Sequence, residues 1–326
     1  MTEQDFLREL QAFMDEWQND SPTIGVHTSG STGTPKAMQV EKKRMIASAR
    51  RTCDFLELQK DDTALLCMPL QYIAGKMMVI RSIIAGLRLM VVPPSGHPMA
   101  NLKEIPTFAA MIPMQVYNSL QVPEEKEKLR QIKHLIIGGG AIDSQLANDL
   151  KDFPHHVWST YGMTETLSHI ALRRLNGKDA SDWYTPFESV NLRLSEENTL
   201  IIEAPDVCPD LLITNDIAEM DANGHFRILG RKDNIINSGG VKIQIEQVEA
   251  LLKPHLNIPF QITSAPDSKF GEIVVLLHEG DTECDIASVC QQVLPTYWVP
   301  KRYKFVEKLP ITGTGKPDRA TAKRMV

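Results

Sequence analysis

Thr28-Ser-Gly-Ser-Thr-Gly-Thr-Pro-Lys36 gathers hydroxyls, two glycines and a lysine into nine residues. Gly30 and Gly33 let the backbone turn its N–H groups toward an anion. Thr28, Ser29, Ser31, Thr32 and Thr34 add short hydroxyl donors, and Lys36 adds a point charge. Together they have the chemistry needed to hold a polyphosphate. Counted from Gly30 as G-x-x-x-x-G-K-[ST], Pro35 takes the place of the second glycine and Ala37 that of the Ser/Thr. A P-loop NTPase is therefore disfavoured. A Gly/Ser/Thr linker is the competing reading, and the flanking chain decides between the two.

Thr23 to His27 reads as a strand feeding the loop, and Lys42 to Leu58 as a helix leaving it. Ahead of both, Phe6, Leu10, Phe13, Met14 and Trp17 stand at helical spacing. Beyond them apolar strands alternate with helices. Strands are predicted at 64–68, 87–92, 108–112, 134–137 and 157–159, with helices at 72–85 and 144–150. Near-continuous apolar strands between helices indicate a buried, mostly parallel sheet, whose ligands lie at the carboxyl ends of the strands. Gly138-Gly-Gly140 and the segment after Ser159 fall at such ends. From Val190 the texture changes to short strands and turns, and Gly230-Arg-Lys-Asp233 marks a boundary. The expected architecture is α/β. A large N-terminal domain (1–230) has mostly parallel sheets flanked by helices. A small, mobile α+β C-terminal domain (231–326) follows.

With 326 residues, two domains are expected. A net charge of −6 without a basic face argues against nucleic acid. Five scattered cysteines, none in C-x-x-C spacing, point to reduced thiols in a cytoplasmic setting and to no structural zinc. The segment Met1–Asp20 carries acids throughout, unlike a signal peptide, and no apolar run is long enough for a membrane span. A homodimer is left open.

Five stretches carry a family resemblance. They are Thr28–Lys36, Tyr161-Gly-Met-Thr-Glu-Thr166, Thr214-Asn-Asp216, Gly230-Arg-Lys-Asp-Asn-Ile-Ile-Asn-Ser-Gly-Gly240 and Pro310-Ile-Thr-Gly-Thr-Gly-Lys316. In this order they resemble the acyl-adenylate-forming superfamily of acyl-CoA synthetases, adenylation domains and luciferases. The resemblance implies ATP, Mg²⁺ and CoA as reactants and cofactor. A carboxylate attacks the α-phosphorus of ATP, and a thiol then displaces AMP. It further implies that Thr28, Ser29, Gly30, Ser31, Thr32, Gly33 and Lys36 cradle the phosphates. Gly138, Gly139, Gly140 and Tyr161 would meet the adenine, and Asp216 and Arg231 the ribose. Thr164 would touch the α-phosphate, and Glu165 would bind the metal. Lys316 would bridge carboxylate and phosphate, Asp233 would be the hinge, and Gly239 and Gly240 would approach the pantetheine. Relatives carry a much longer segment before the phosphate loop, whereas Thr28 is preceded by 27 residues here. Asn215 stands where the family has glycine.

Within the superfamily, the Ile73-Ala-Gly-Lys76 helix, the triple-glycine turn and Met163–Ser168 look most like o-succinylbenzoate–CoA ligases of menaquinone synthesis. That acid has two carboxylates; one reacts and the other needs a cation or donors when buried. Tyr72, Lys76 and Ser168, with His169, are the candidates for the acyl pocket. Three other readings stay open. One is a CoA ligase for another aromatic or short acid, and one is a stand-alone adenylation domain loading a carrier protein. The third is a non-catalytic nucleotide-binding relative.

Overall fold

A computed structural model describes residues 2–27, 37–280, 285–312 and 316–326. The phosphate-loop candidates Thr28 to Lys36, and Gly313 and Gly315, lie outside the described residues. Helix α1 (Glu3–Gln18) starts at Thr2, whose hydroxyl accepts from the Asp5 N–H at 3.2 Å, and it buries Phe6 and Phe13. Strands β1 (Thr23–His27) and β2 (Ala37–Glu41) pair antiparallel with His27 opposite Ala37. The two ends of the 28–36 segment are thus fixed side by side. Helix α2 (Lys42–Phe55) follows directly.

Next come β3 (Thr63–Leu66), α3 (Ile73–Ala85), β4 (Arg88–Val91) and β5 (Phe108–Met111). Helices α4 (Pro113–Leu120) and α5 (Pro123–Arg130) lead to β6 (His134–Ile137), α6 (Ser144–Leu150), β7 (His156–Gly162), β8 (His169–Arg174) and β9 (Thr185–Pro186). The seven strands form one sheet in the order β4-β3-β5-β6-β7-β8-β9. It is parallel from β4 to β7 and antiparallel thereafter. Every residue of β3, β5 and β6 is buried, as expected of strands covered on both faces. Several details differ from the sequence reading, which placed no strand at β2 (Ala37–Glu41) or β8 (His169–Arg174). Helices α4 and α5 occupy a stretch where none was predicted. Strand β7 runs on through Tyr161 to Gly162, held by pairing with β8, instead of ending at Ser159.

Strands β10 (Asn191–Leu194), β11 (Thr199–Ala204), β12 (Cys208–Met220) and β13 (Phe226–Arg231) form an antiparallel sheet. A 3₁₀ turn at Lys232–Asn234 leads to β14 (Ile235–Ser238), β15 (Val241–Gln244), α7 (Ile245–Leu252), β16 (Phe260–Asp267), β17 (Gly271–His278), α8 (Ile286–Val293), β18 (Arg302–Phe305) and α9 (Arg319–Arg324). These five strands make a separate sheet, with Val248 and Leu252 packed on one side and Val306 and Ala322 in a second cluster. The main core extends from Phe6 to Phe226, and the next buried cluster begins at Ile236. Among the described residues no helix is long and apolar enough to cross a membrane.

Candidate active site

The carboxyl ends of β6 and β7 carry two tight turns. After β6, a Cβ on Gly138 would lie 2.4 Å from the Thr160 hydroxyl, so any larger residue there would have to displace that side chain. After β7, a Cβ on Gly162 would lie 2.2 Å from the Ser168 carbonyl oxygen. Thr166, fully buried, ties this turn together by accepting from the Met163 N–H at 3.0 Å. Thr164 is buried and Glu165 half-buried in the same turn. Among the described residues no group of three or more His, Cys, Asp or Glu forms a metal cage. A single carboxylate such as Glu165 nevertheless fits Mg²⁺, which takes most of its ligands from phosphate and water.

A second constellation lies across the sheets. Asp216 on β12 pairs in register with Arg231 on β13, and only 9 % of it is exposed. The Tyr161 hydroxyl donates to Asp216 Oδ2 at 2.7 Å, and Arg231 Nη1 donates to Oδ1 at 3.2 Å. Burial, then the neighbouring Asp216 carboxylate, holds the Tyr161 hydroxyl well above its usual range, so it stays a donor. The Tyr161 ring meets Phe226 edge-on at 5.1 Å and leans on Tyr184 at 6.0 Å. The side chain predicted to meet adenine is therefore also the post that sets Asp216. Arg231 reaches onward to Asp233 at 3.1 Å. Asn215, the departure from the family pattern, donates its amide to the same Asp233 oxygen at 3.1 Å.

Lys316, from the far end of the chain, belongs to this cluster. Burial lowers its ammonium pKa; Arg231 adds to the shift and Asp216 opposes it, so both charges act on the Lys316 head group.

The acyl-pocket candidates separate. The backbone of Tyr72 bridges to His27, beside the 28–36 segment. Lys76 is buried, but its ammonium donates to the Gly25 carbonyl at 2.7 Å and sits 5.3 Å from the Phe13 ring. It is neither exposed at a helix end nor paired with Ser168, because α1 and β1 cover that side of α3. The cation that reaches Ser168 is Arg81, five residues further along α3, donating from Nη2 at 2.5 Å. Arg81 is 2 % exposed, and burial draws its pKa down to about 10, so it remains charged at neutral pH. Among the described residues Nε has no partner, and Nη1 has only the Met78 sulfur at 3.8 Å. Sequence reading missed Arg81, since an arginine in Met77-Met-Val-Ile-Arg-Ser82 carries no local sign of where it points.

Gly239 and Gly240 form the two-residue turn between β14 and β15, both with positive φ (+58° and +84°). Hairpin geometry alone requires glycine there. The turn leaves open space beside Gly240.

The AMP-binding enzyme family profile matches residues 3–201. A protein from Dyadobacter fermentans, described as acyl-CoA synthetase (AMP-forming)/AMP-acid ligase II-like, is 31% identical, with a TM-score of 0.67 over 98% of this chain and 94% of its own. The 2-succinylbenzoate–CoA ligase of Bacillus cereus is 25% identical over 92% of this chain and 69% of its own length. The o-succinylbenzoate CoA synthetase of Bacillus subtilis, solved with its acyl-adenylate intermediate, shares the fold at a TM-score of 0.77 and 22% identity, over 92% of this chain and 68% of its own. With its motif order, its sheet topology and a profile that spans more than half its length, the chain belongs to the AMP-binding enzyme family.

Proposed function

We propose that this chain is an ATP-dependent carboxylate–CoA ligase acting on o-succinylbenzoate in menaquinone synthesis. The broader class, an AMP-forming acid–thiol ligase using ATP, magnesium and CoA, follows from the family and its relatives. The observation that carries the finer reading is Arg81. A guanidinium with five N–H donors, almost fully buried, meets a single oxygen atom among the described residues. Leaving a buried charge unpaired costs several kcal/mol, roughly, and is sustained where a ligand supplies the counter-charge. A dicarboxylic acid does so with the carboxylate that does not react.

In the first step one substrate carboxylate oxygen bonds to the α-phosphorus as the bond to pyrophosphate breaks. In the second, the CoA sulfur bonds to the acyl carbon, its proton is lost, and AMP leaves. The protein's part is positioning and charge neutralisation. The 28–36 segment would hold the outer phosphates, Asp216 and Arg231 the ribose, and Lys316 the charge gathering between carboxylate and phosphate. Magnesium, held by Glu165, would neutralise phosphate oxygens. Asp233, in the turn between the Phe226 and Ile236 cores, would be the hinge on which residues 231–326 turn between the steps.

The test is exchange of labelled pyrophosphate into ATP across a panel of acids, followed by addition of CoA. Exchange with o-succinylbenzoate, and thioester on adding CoA, is the expected result. Exchange only with a different acid would keep the mechanism and discard the pathway. Thioester on a carrier protein but not on CoA would mark an adenylation domain. ATP binding without any exchange would mark a non-catalytic relative. Lys316→Ala should lose exchange by about a thousandfold or more while still converting supplied acyl-adenylate and CoA. Equal loss of both steps would refute its assignment.

A further inference from the structure

We infer that His169 and Thr52 are positioning residues for the second carboxylate of the substrate, acting on Arg81 through Ser168. The inference rests on the dicarboxylate reading and adds to it. The directions of the hydrogen bonds follow from two facts: arginine can only donate, and Thr52 gives its one hydroxyl proton to the Ser48 carbonyl, so it can only accept from His169. Arg81 Nη2 therefore donates to Ser168 Oγ at 2.5 Å. The Ser168 proton then turns elsewhere, and His169 Nδ1 lies 3.3 Å away to accept it. That leaves the His169 proton on Nε2, which donates to Thr52 Oγ1 at 3.2 Å. Thr52 in turn donates to the Ser48 carbonyl at 3.2 Å, one turn back on α2. Each of these groups has one role, and the chain ends on helix backbone.

The burial agrees. Thr52 is 1 % exposed, Arg81 2 % and His169 6 %. Burial first, then the nearby Arg81 and Arg51 charges, keeps His169 neutral. A neutral imidazole with a fixed tautomer suits the relay, because an imidazolium would offer Ser168 a proton instead of a lone pair. With Ser168 so held, the guanidinium is pinned through Nη2, while Nε and Nη1 keep N–H donors that a ligand's carboxylate oxygens can meet. Without His169, the Ser168 hydroxyl can rotate and Arg81 loses its fixed orientation.

The decisive experiment compares two acids on the whole protein. One is o-succinylbenzoate; the other is benzoylpropionate, which lacks the ring carboxylate. His169→Phe and Thr52→Val should each raise the KM for o-succinylbenzoate in pyrophosphate exchange by about tenfold, with kcat little changed. The KM for benzoylpropionate should stay where it was. His169→Gln, whose amide can accept on one side and donate on the other, should restore most of the loss. Thr52→Val keeps its shape and serves if the histidine variant does not fold. Equal losses for the two acids, or no change in either, would overturn the inference while leaving the functional reading intact. Absence of exchange with o-succinylbenzoate in the unaltered protein would remove both.

Discussion

His169 and His134 sit at opposite ends of the same sheet. Both are almost fully buried, and both have pKa values pulled down mainly by burial. His134 opens β6, at the amino end of the parallel strands. His169 opens β8, which runs antiparallel to β7, so it lies at the carboxyl end with Gly162 as its partner. Around His169 each ring nitrogen has a hydrogen-bond partner, and the chain of bonds ends on a charge. Neither ring nitrogen of His134 has a protein partner among the described residues; the ring packs edge-on against His156 at 5.4 Å. Burial of a polar ring is therefore not what marks a site. Connection to an unneutralised charge is.

That contrast is broken most strongly at Arg81. Arg81→Met keeps an unbranched apolar stem and removes the charge. It should lower kcat/KM for o-succinylbenzoate by roughly a hundredfold or more, the cost of losing a buried charge-assisted pair. It should also leave the melting temperature unchanged or raise it, because an unpaired buried cation is replaced by apolar bulk. Activity and stability moving in opposite directions would mark a residue kept for a ligand. A large drop in melting temperature with substrate preference unchanged would show that Arg81 serves the core alone.

The legible parts of the chain were those whose signal is local. The buried strands at 63–66, 108–111 and 134–137 are short, mostly apolar runs, and their predicted positions agree with the structure to within a residue or two. Helix α5 was not legible: Pro123-Glu-Glu-Lys-Glu-Lys-Leu-Arg130 has one large apolar residue, Leu129, and so no periodicity. Strand β7 was cut short because glycine after tyrosine reads as a turn; its pairing with β8 overrides that. Lys76 and Arg81 lie five positions apart on one helix, and no local rule distinguishes them. Their partners do, Gly25 for one and Ser168 for the other, each more than fifty residues away in the chain. The Asp216–Tyr161–Arg231 network is likewise a product of three strands meeting, although each member was read from its motif.

The other histidine sharpens the contrast through pH. The folded-state pKa of His134 is lowered from 6.5 to about 4, with burial the largest cause and Lys133 the next. In the unfolded chain the ring binds a proton near pH 6.5, so between that value and about 4 the unfolded state holds more protons. Stability should therefore fall as pH drops through this window, by up to roughly 1.4 kcal/mol per pH unit for this one group. His134→Phe should flatten the pH dependence of the melting temperature there and leave exchange activity at neutral pH unchanged. If the variant follows the parent curve through the window, His134 is not the group that titrates. If it loses activity at neutral pH, the amino end of the sheet is coupled to the site after all.

The smallest effect concerns how the carboxyl end of the sheet meets the C-terminal unit. Asp143 caps α6, accepting from the Leu146 N–H at 2.8 Å through Oδ1. Its other oxygen accepts from Lys253, just beyond α7, at 2.6 Å. Burial pushes the Asp143 carboxyl up, but the Lys253 bond and the helix N–H outweigh it and hold the net pKa below the usual value. The pair spans the two cores, close to the glycine turn after β6, and Lys253 is 54% exposed. An ion pair this exposed contributes about 0.2–1 kcal/mol, less at high salt. Lys253→Met should thus lower exchange no more than about fivefold at low salt, if the pair helps hold Lys316 near Asp216. The deficit should disappear at high salt, and Lys253→Arg should show none of it. Thioester formation from supplied acyl-adenylate should not suffer. A loss that persists at high salt, or that falls equally on both half-reactions, would mean that Lys253 acts on the fold and not on the placement of Lys316.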